Sequence, residues 1–383
     1  MFINYAVKKF LGSNTGKGFK GFYEDLLYKS GYGDDGQSVF ILKGGPGTGK
    51  STFIKKTAAM LEKMNCDVEL LRCSGDVNSY DGVVSRMGGI TVVDGTSPHC
   101  IDPVCPGVCE SILNLGEFWD RSVLSQYSDK VDECIKRKKL MYKKAYHYLA
   151  AAGEIYKDRA DILMQNVDGY KVELYAKSLA EELVKTKKGD GAKGRKRRAF
   201  ATAVTSEGIT GALPGMPDGE LSNGSIYCVN SIFGLSSARL LEVVADSALS
   251  AGYDVNCYYC GFDSGKLEHI TVPELGFMIV TSNEAHTFVR GTKVTEIEFE
   301  GFMKDDAVLN ENSCKGFDVG YSRIRFDELT ERAFRALAKA SEAHIEMENY
   351  YVEDMDFAGL TQYKDFVLDD IAAEVHNNIV SGI

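Results

Sequence analysis

The sequence predicts an α/β protein with two similar lobes, each with a parallel sheet flanked by helices and each followed by a long helical tract. Two observations predict this fold. A glycine-rich segment, Gly44–Ser51, separates an apolar run from a stretch typical of a helix. The second half of the 383-residue chain also repeats the pattern of the first half. We therefore predict one lobe over residues 1–190 and another over residues 195–383.

The first lobe is predicted to contain three strands and one helix before its helical tract. The apolar runs Val39–Leu42, Asp67–Arg72 and Ile90–Asp94 are typical of buried strands, and Lys50–Met64 is typical of a helix. Strands that alternate with helices favour a parallel sheet with right-handed crossovers. The tract Ser122–Lys188, rich in Ala, Leu, Lys, Glu and Tyr, predicts helical hairpins or a bundle.

The second lobe follows from the internal repeat. Cys66–His99 aligns with Tyr253–His286 without a gap at an offset of 187 residues, and 7 of the 34 aligned positions are identical. The repeat predicts the same elements in the same order. The predicted strands are Ile226–Val229, Asp254–Tyr259 and Phe277–Thr281, and the second helical tract is Phe326–Val380.

Gly44–Ser51 fits the phosphate-binding pattern G-x-x-x-x-G-K-[ST] at every position. A strand, a glycine loop and a helix in this order present backbone N–H groups and the positive end of a helix dipole to an anion. Lys50 is predicted to reach the β- and γ-phosphates, and the Ser51 hydroxyl to bind Mg²⁺. Both lobes are therefore expected to be P-loop NTPase-like. The predicted nucleotide-binding residues are Gly44, Gly45, Pro46, Gly47, Thr48, Gly49, Lys50, Ser51 and Thr52.

An acid at the end of the third predicted strand, Asp94, has the form of a Walker B residue, which holds the metal's coordination shell. Gly95 follows it where motor-type ATPases carry a water-activating glutamate, so fast hydrolysis is not assured. His99 is predicted to orient water or sense the γ-phosphate, or else simply to hydrogen-bond its loop. Asp76 and Asp81, expected in the loop after the second strand, are alternatives. The predicted catalytic residues are Lys50, Asp94 and His99, and the predicted metal ligands are Ser51 and Asp94.

The second copy of the loop, Asn230–Ser237, lacks these features. Ser236 stands where the first copy has its lysine, and Thr281 replaces the Walker B acid. Bulky residues such as Phe233 and Leu235 resist the positive φ angles that a phosphate loop requires. The second lobe is therefore predicted to bind no triphosphate and to act as a regulatory or partner-binding surface.

Composition limits the other functions and sites. A net charge of −11 argues against general binding of nucleic acid or anionic membranes. With no apolar run of transmembrane length and no signal-peptide core, we expect a cytoplasmic protein with reduced cysteines. Zinc binding by the cluster His99, Cys100, Cys105 and Cys109 is a weak alternative. The basic junction Lys185–Arg198 is interpreted as a flexible linker, an arginine finger or a site for an acidic partner.

These motifs resemble a little-characterised group of bacterial duplicated P-loop proteins, labelled as ATPases or nucleotide-kinase-like proteins. The resemblance covers nearly the whole chain and implies nucleotide binding. Members of the group look as though they carry a phosphate loop in both halves, whereas this sequence has lost the second. The segments that carry the resemblance are Gly44–Ser51, Asp76–Val83, Val93–Pro103, Asn114–Asp120 and Pro273–Leu275.

Three functions remain open at this point. The first is a Mg²⁺-dependent ATPase in which hydrolysis at a single functional nucleotide-binding site drives a motion between the lobes. The second is a small-molecule or nucleotide kinase, with the basic run Lys136–Lys139 as a lid, although such a run is more typical of a solvated helix face. The third is a nucleotide sensor with little turnover. ATP is the default because the first lobe lacks a guanine-reading N-K-x-D motif. The expected partners are a nucleoside triphosphate and an unidentified protein or small-molecule acceptor.

Overall fold

The computed structural model describes residues 7–27, 37–76, 78–188, 191, 193–211, 224–284, 294–304, 314–353 and 355–381, with backbone only for 314–319. The predicted α/β class is confirmed. The chain divides into two compact units, each assembled from segments that are distant in sequence. The first comprises Met1–Gly12, Gly21–Ala145 and Arg335–Ile383, and the second comprises Ser13–Lys20 and Tyr146–Phe334.

The strands of the first third of the chain are β1 (Val7–Phe10), β2 (Gly12–Thr15), β3 (Gly18–Gly21), β4 (Ser38–Lys43), β5 (Glu69–Arg72), β6 (Tyr80–Ser85), β7 (Ile90–Asp94) and β8 (Glu110–Asn114). The helices are α1 (Lys50–Lys63), α2 (Arg121–Leu124), α3 (Ser128–Met164), α4 (Gly169–Leu183), α5 (Ala238–Ser250), α6 (Cys314–Val352) and α7 (Phe357–Ser381). Helices α3 and α4 fall within the predicted tract Ser122–Lys188.

The sheet of the first unit has the strand order β1-β5-β6-β7-β4-β8. It is mixed, so the prediction of a parallel sheet is wrong, because β6 runs antiparallel to both of its neighbours. The connections around β6 are short turns of seven and four residues. In the first the Cys73 N–H donates to Ser79 O at 3.1 Å, and in the second the Gly89 N–H donates to Arg86 O at 3.1 Å. Such turns leave no room for the crossover that parallel neighbours need.

Helices α1 and α7 cover this sheet with a shared apolar face. Phe53, Ile54 and Leu61 of α1 are buried together with Val367 and Ile371 of α7 in one core cluster. The spacing of seven residues from Ile54 to Leu61 and of four from Val367 to Ile371 places each pair on a single face of its helix. The hydrophobic core of the first unit therefore depends on a helix encoded more than 300 residues after α1 begins.

The remaining strands are β9 (Lys196–Phe200), β10 (Thr202–Thr205), β11 (Gly208–Gly211), β12 (Ser225–Asn230), β13 (Val255–Tyr259), β14 (Leu267–Val272), β15 (Phe277–Ser282) and β16 (Val294–Glu298). The sheet of the second unit has the order β9-β13-β14-β15-β12-β16, with β14 antiparallel to its neighbours. Strand for strand, this is the order found in the first unit. Buried residues of α4 and α5 form the core against this sheet.

The end of the basic junction is a strand, so its interpretation as a flexible linker up to Arg198 is wrong. Lys196–Phe200 pairs in parallel with β13, and the Arg197 guanidinium lies 2.8 Å from the Asp254 carboxylate. Arg197 is therefore already paired with an acid of its own unit. None of the helices in the described segments combines the length and the apolar character needed to cross a bilayer.

Candidate functional site

The glycine-rich segment forms a tight loop between β4 and α1. Gly47 and Gly49 have φ angles of +76° and +66°, in the left-handed region that favours glycine. A β-carbon at Gly47 would lie 2.4 Å from Cγ2 of Val352. Thr48, which is fully buried, donates its hydroxyl to Gly45 O at 3.0 Å. Backbone conformation and packing therefore both require this glycine pattern.

Lys50 is the first residue of α1 and folds back onto the loop. Its ammonium donates to the carbonyls of Gly44 at 2.9 Å and Gly45 at 3.0 Å. It also lies 3.7 Å from a carboxylate oxygen of Asp94, the last residue of β7. Strands β4 and β7 are parallel neighbours with Leu42 opposite Asp94, so their carboxyl ends meet at one edge of the sheet. The lysine and the acid that the sequence predicts for one site thus lie together.

The predicted metal ligands lie on either side of this ion pair. The Ser51 hydroxyl accepts a hydrogen bond from the Tyr80 N–H at 3.1 Å and keeps a second lone pair. One oxygen of Asp94 accepts from both the N–H and the hydroxyl of Thr96, at 2.9 and 2.6 Å. Pro46 is half-buried in the loop, and Thr52 is exposed on the first turn of α1.

His99 lies in a buried polar cluster near Asp94. Its Nε2 is 3.4 Å from one oxygen of Asp81, whose other oxygen accepts from the Tyr23 hydroxyl at 2.6 Å. Burial acts to lower the pKa of His99, but the charge and hydrogen bond of Asp81 outweigh it and raise this pKa to about 8. His99 is therefore protonated at neutral pH. In this state it donates hydrogen bonds and cannot accept a proton from water.

Asp81 lies on β6 and not in a loop, so that part of the prediction is wrong. Its side chain is buried, and burial acts to raise its pKa, but His99, Tyr23 and Cys73 lower it by charge and hydrogen bonds. Burial, followed by the charge of the same carboxylate, raises the pKa of the Cys73 thiol well above its usual value. Asp81 therefore stays ionised and its neighbours stay protonated.

Lysine 364 of α7 was not predicted as a site residue, yet it contacts the loop directly. The Lys364 ammonium is buried and donates to Thr48 O at 2.7 Å and to Gly49 O at 3.3 Å. Burial, followed by the charges of Lys56 and Lys50, lowers its pKa to about 8. No local pattern marks this residue, because it lies more than 300 positions from the loop in sequence.

Trp119, the only tryptophan in the chain, packs on the same loop. A β-carbon at Gly45 would lie 2.8 Å from its indole ring, and the Tyr351 ring packs against the indole at 5.1 Å between centroids, tilted by 52°. The indole N–H has no hydrogen-bond partner among the described residues. The segment after β8 and the end of α6 therefore cover the tip of the loop and leave a donor beside it.

In the second unit the equivalent loop is filled by its own side chains. The buried Phe233 ring packs against Tyr156 and Phe326 at centroid distances of 5.1 and 4.8 Å. Its N–H donates to the Glu284 carboxylate at 2.7 Å, and its carbonyl accepts from Arg159 Nε at 2.6 Å. Both backbone groups of Phe233 are therefore bonded to charged side chains of the same unit. The predicted counterpart of His99, His286, lies outside the described residues.

Within the described segments, no group of three or more His, Cys, Asp or Glu side chains is arranged to hold a metal ion. The cysteines described there are free thiols. The zinc alternative at Cys100, Cys105, Cys109 and His99 therefore has no support in the structure. No protein-family model, curated protein or solved structure matches this chain.

Proposed function

We propose that the first unit binds a nucleoside triphosphate with Mg²⁺, by default ATP, at the Gly44–Ser51 loop and hydrolyses it slowly. In this proposal each unit has a P-loop NTPase-like fold, and one functional nucleotide-binding site lies in the first unit. The observation that carries the proposal is the position of Lys50. It begins a helix directly after a left-handed glycine turn and lies 3.7 Å from Asp94 on the neighbouring parallel strand.

In this proposal the phosphates bind at the N-terminal end of α1, where backbone N–H groups and the helix dipole favour an anion. Lys50 leaves the carbonyls of Gly44 and Gly45 and turns its ammonium to the phosphates. At a separation of about 4 Å in a partly screened site, this charge contributes on the order of 4 kcal/mol toward one phosphate charge. The same lysine is therefore expected to dominate the affinity.

The donor set also fits Mg²⁺, which prefers oxygen ligands and is often held by one or two carboxylates together with phosphates and water. Ser51 would offer a hydroxyl and Asp94 a carboxylate that Thr96 already orients. When bound, the ion would neutralise phosphate charge. Clusters of three protein ligands are not needed for such a site.

The protonation state of His99 favours slow turnover over fast hydrolysis. As an imidazolium it can donate to a phosphate or hold the Asp94–His99 segment in place, but it cannot serve as a general base. Gly95 supplies no carboxylate at the next position. These two features favour a nucleotide sensor as the second candidate function. In both cases the second unit acts as a regulatory or partner-binding surface and not as a nucleotide site.

Calorimetric titration of the full chain with ATP and GTP in Mg²⁺ tests the proposal. Lys50→Met is expected to weaken ATP binding at least a hundredfold, whereas Lys63→Met, which removes an exposed lysine from the same helix, is expected to leave it unchanged. Equal affinities for both variants would contradict the site. Product analysis then separates the functions. Turnover without an acceptor identifies an ATPase, turnover only with a metabolite extract identifies a kinase, and tight binding without turnover identifies a sensor.

A further inference from the structure

The basic run Lys136–Lys139 on α3 contains one residue that differs from its neighbours. Lys136 and Arg137 are exposed and form ion pairs with surface acids. Lys138 is instead half-buried, and its ammonium lies 3.0 Å from Nδ1 of His344 on α6. The run is therefore a solvated face with a single inward-facing cation.

No carboxylate of the described residues lies within ion-pair distance of Lys138. Its hydrogen-bond partner, His344, is neutral, because burial and then the charges of Lys138 and Lys50 lower its pKa to about 4. Burial, followed by the charge of Lys50, also lowers the pKa of Lys138. A half-buried cation with an uncharged partner and another cation nearby is unfavourable unless an anion binds.

Contacts of α3 place the turn after Lys138 against the connection from β5 to β6, which touches the start of α1. Tyr142, one turn after Lys138, lies 3.8 Å from the position of a β-carbon at Gly75. Gly75 belongs to the short connection from β5 to β6, and this connection ends at Tyr80, whose N–H donates to the Ser51 hydroxyl. One face of α3 thus packs on the segment that touches the proposed metal ligand.

Contacts of α6 also connect Lys138, through its partner His344, with the Gly44–Ser51 loop. His344, Glu348 and Val352 recur every four residues and share one face of the helix. Val352 and Glu348 are the side chains that a β-carbon at Gly47 would meet, at 2.4 and 3.6 Å. The face of α6 that covers the loop therefore also carries His344. Two acids lie near this position and act against an incoming anion: Glu348, on the same face, and Asp76, whose charge acts on His344.

We propose that Lys138 binds the terminal phosphate of a nucleoside triphosphate held by the Gly44–Ser51 loop, and that His344 is its positioning residue. The inference rests on the proposed function and assigns the site a preference for triphosphate over diphosphate. Nδ1 of His344 takes one of the three ammonium hydrogens and leaves two for phosphate oxygens. A diphosphate, which lacks the terminal group, gains nothing from this lysine.

Calorimetry on the full chain with ADP and with a non-hydrolysable ATP analogue, each with Mg²⁺, tests the inference. Lys138→Met is expected to weaken binding of the analogue about 10- to 100-fold, as for a hydrogen bond between charged groups, and to leave ADP binding within about twofold. Lys139→Met is the matched control, because it removes an exposed charge from the next position. It should change neither affinity. Lys138→Gln, measured in parallel, guards against a folding defect specific to methionine.

The positioning role of His344 has a separate readout. His344→Leu removes the acceptor and should weaken binding of the analogue several-fold, whereas His344→Asn, whose amide oxygen can replace Nδ1, should restore most of it. If the Lys138 variants lose affinity for ADP and for the analogue to the same extent, or lose no affinity, the inference is overturned. The assignment of the loop site would still stand. If the unmodified protein binds neither nucleotide, the proposed function itself fails.

Discussion

Replacing Gly47 by alanine is expected to destabilise the first unit by about 2–5 kcal/mol, from two sources that can be measured separately. The backbone φ of +76° strains any residue with a β-carbon, at a cost of roughly 1–2 kcal/mol. The new methyl group would also lie 2.4 Å from Cγ2 of Val352, and overpacking of this kind costs roughly 1–3 kcal/mol. Valine is stiff at χ1, so it cannot simply rotate away.

Gly107 provides a matched control within the same unit. It has the same φ of +76°, but a β-carbon there would meet nothing within 4 Å. Gly107→Ala should therefore report backbone strain alone, and Gly47→Ala should exceed it by the steric cost. Val352→Ala on the Gly47→Ala background should recover that excess, which a double-mutant cycle measures directly.

Urea unfolding followed by Trp119 fluorescence suits this experiment, since the only tryptophan packs on the loop itself. If Gly47→Ala and Gly107→Ala have equal free energies of unfolding, α6 does not pack on the loop as described. The absence of coupling between Gly47→Ala and Val352→Ala would lead to the same conclusion.

Other predictions concern charge and stoichiometry. The pKa of Lys364, which is lowered to about 8, should rise when an anion binds, so nucleotide binding at pH 8 should take up about half a proton. Calorimetry in buffers of different ionisation enthalpy measures this proton uptake. Lys364→Met should abolish it. Because the pKa of His99 is raised to about 8, its stabilisation is complete below pH 6.5, and roughly 2 kcal/mol is lost as pH rises through 8. Lys364, whose pKa is lowered to about 8, changes stability in the opposite direction over the same range, so the comparison is made on a Lys364→Met background. In urea unfolding of that variant at pH 6 and pH 9, Asp81→Asn should remove the difference due to His99. Ser236→Lys should leave the nucleotide stoichiometry at one, because Phe233 still fills the second loop; a stoichiometry of two would refute that reasoning.

Elements that a local sequence pattern specifies, such as an apolar run or a glycine-rich segment before a helix, could be predicted from the sequence. The strand Ile90–Asp94 has the predicted bounds, and α1 ends within one residue of the predicted helix. Strand β6 could not be predicted in this way, since Asp81 within it reads as a loop residue. Its burial depends on His99 and Tyr23, which lie on other segments, and without them a buried carboxylate would be unfavourable.

The same distinction applies to the candidate site. Lys50 and Asp94 could be placed together because each ends or follows a strand, and the carboxyl ends of parallel neighbours meet at one edge of the sheet. Lys138 could be proposed only as one of four equivalent charges, because the turn of α3 that faces inward is set by packing against α6. Lys364 carries no sequence signal at all, since its role comes from the docking of α7 on α1.

The discontinuous composition of the first unit has a consequence for biosynthesis. When the ribosome has completed residues 1–145, the nascent chain contains the glycine loop and its sheet but lacks Val367, Ile371 and Val375, which belong to the same hydrophobic core. That apolar face stays uncovered until residues 367–375 have been synthesised, about 12–46 s later at roughly 5–20 residues per second. Exposed apolar surface of this kind favours aggregation during that interval.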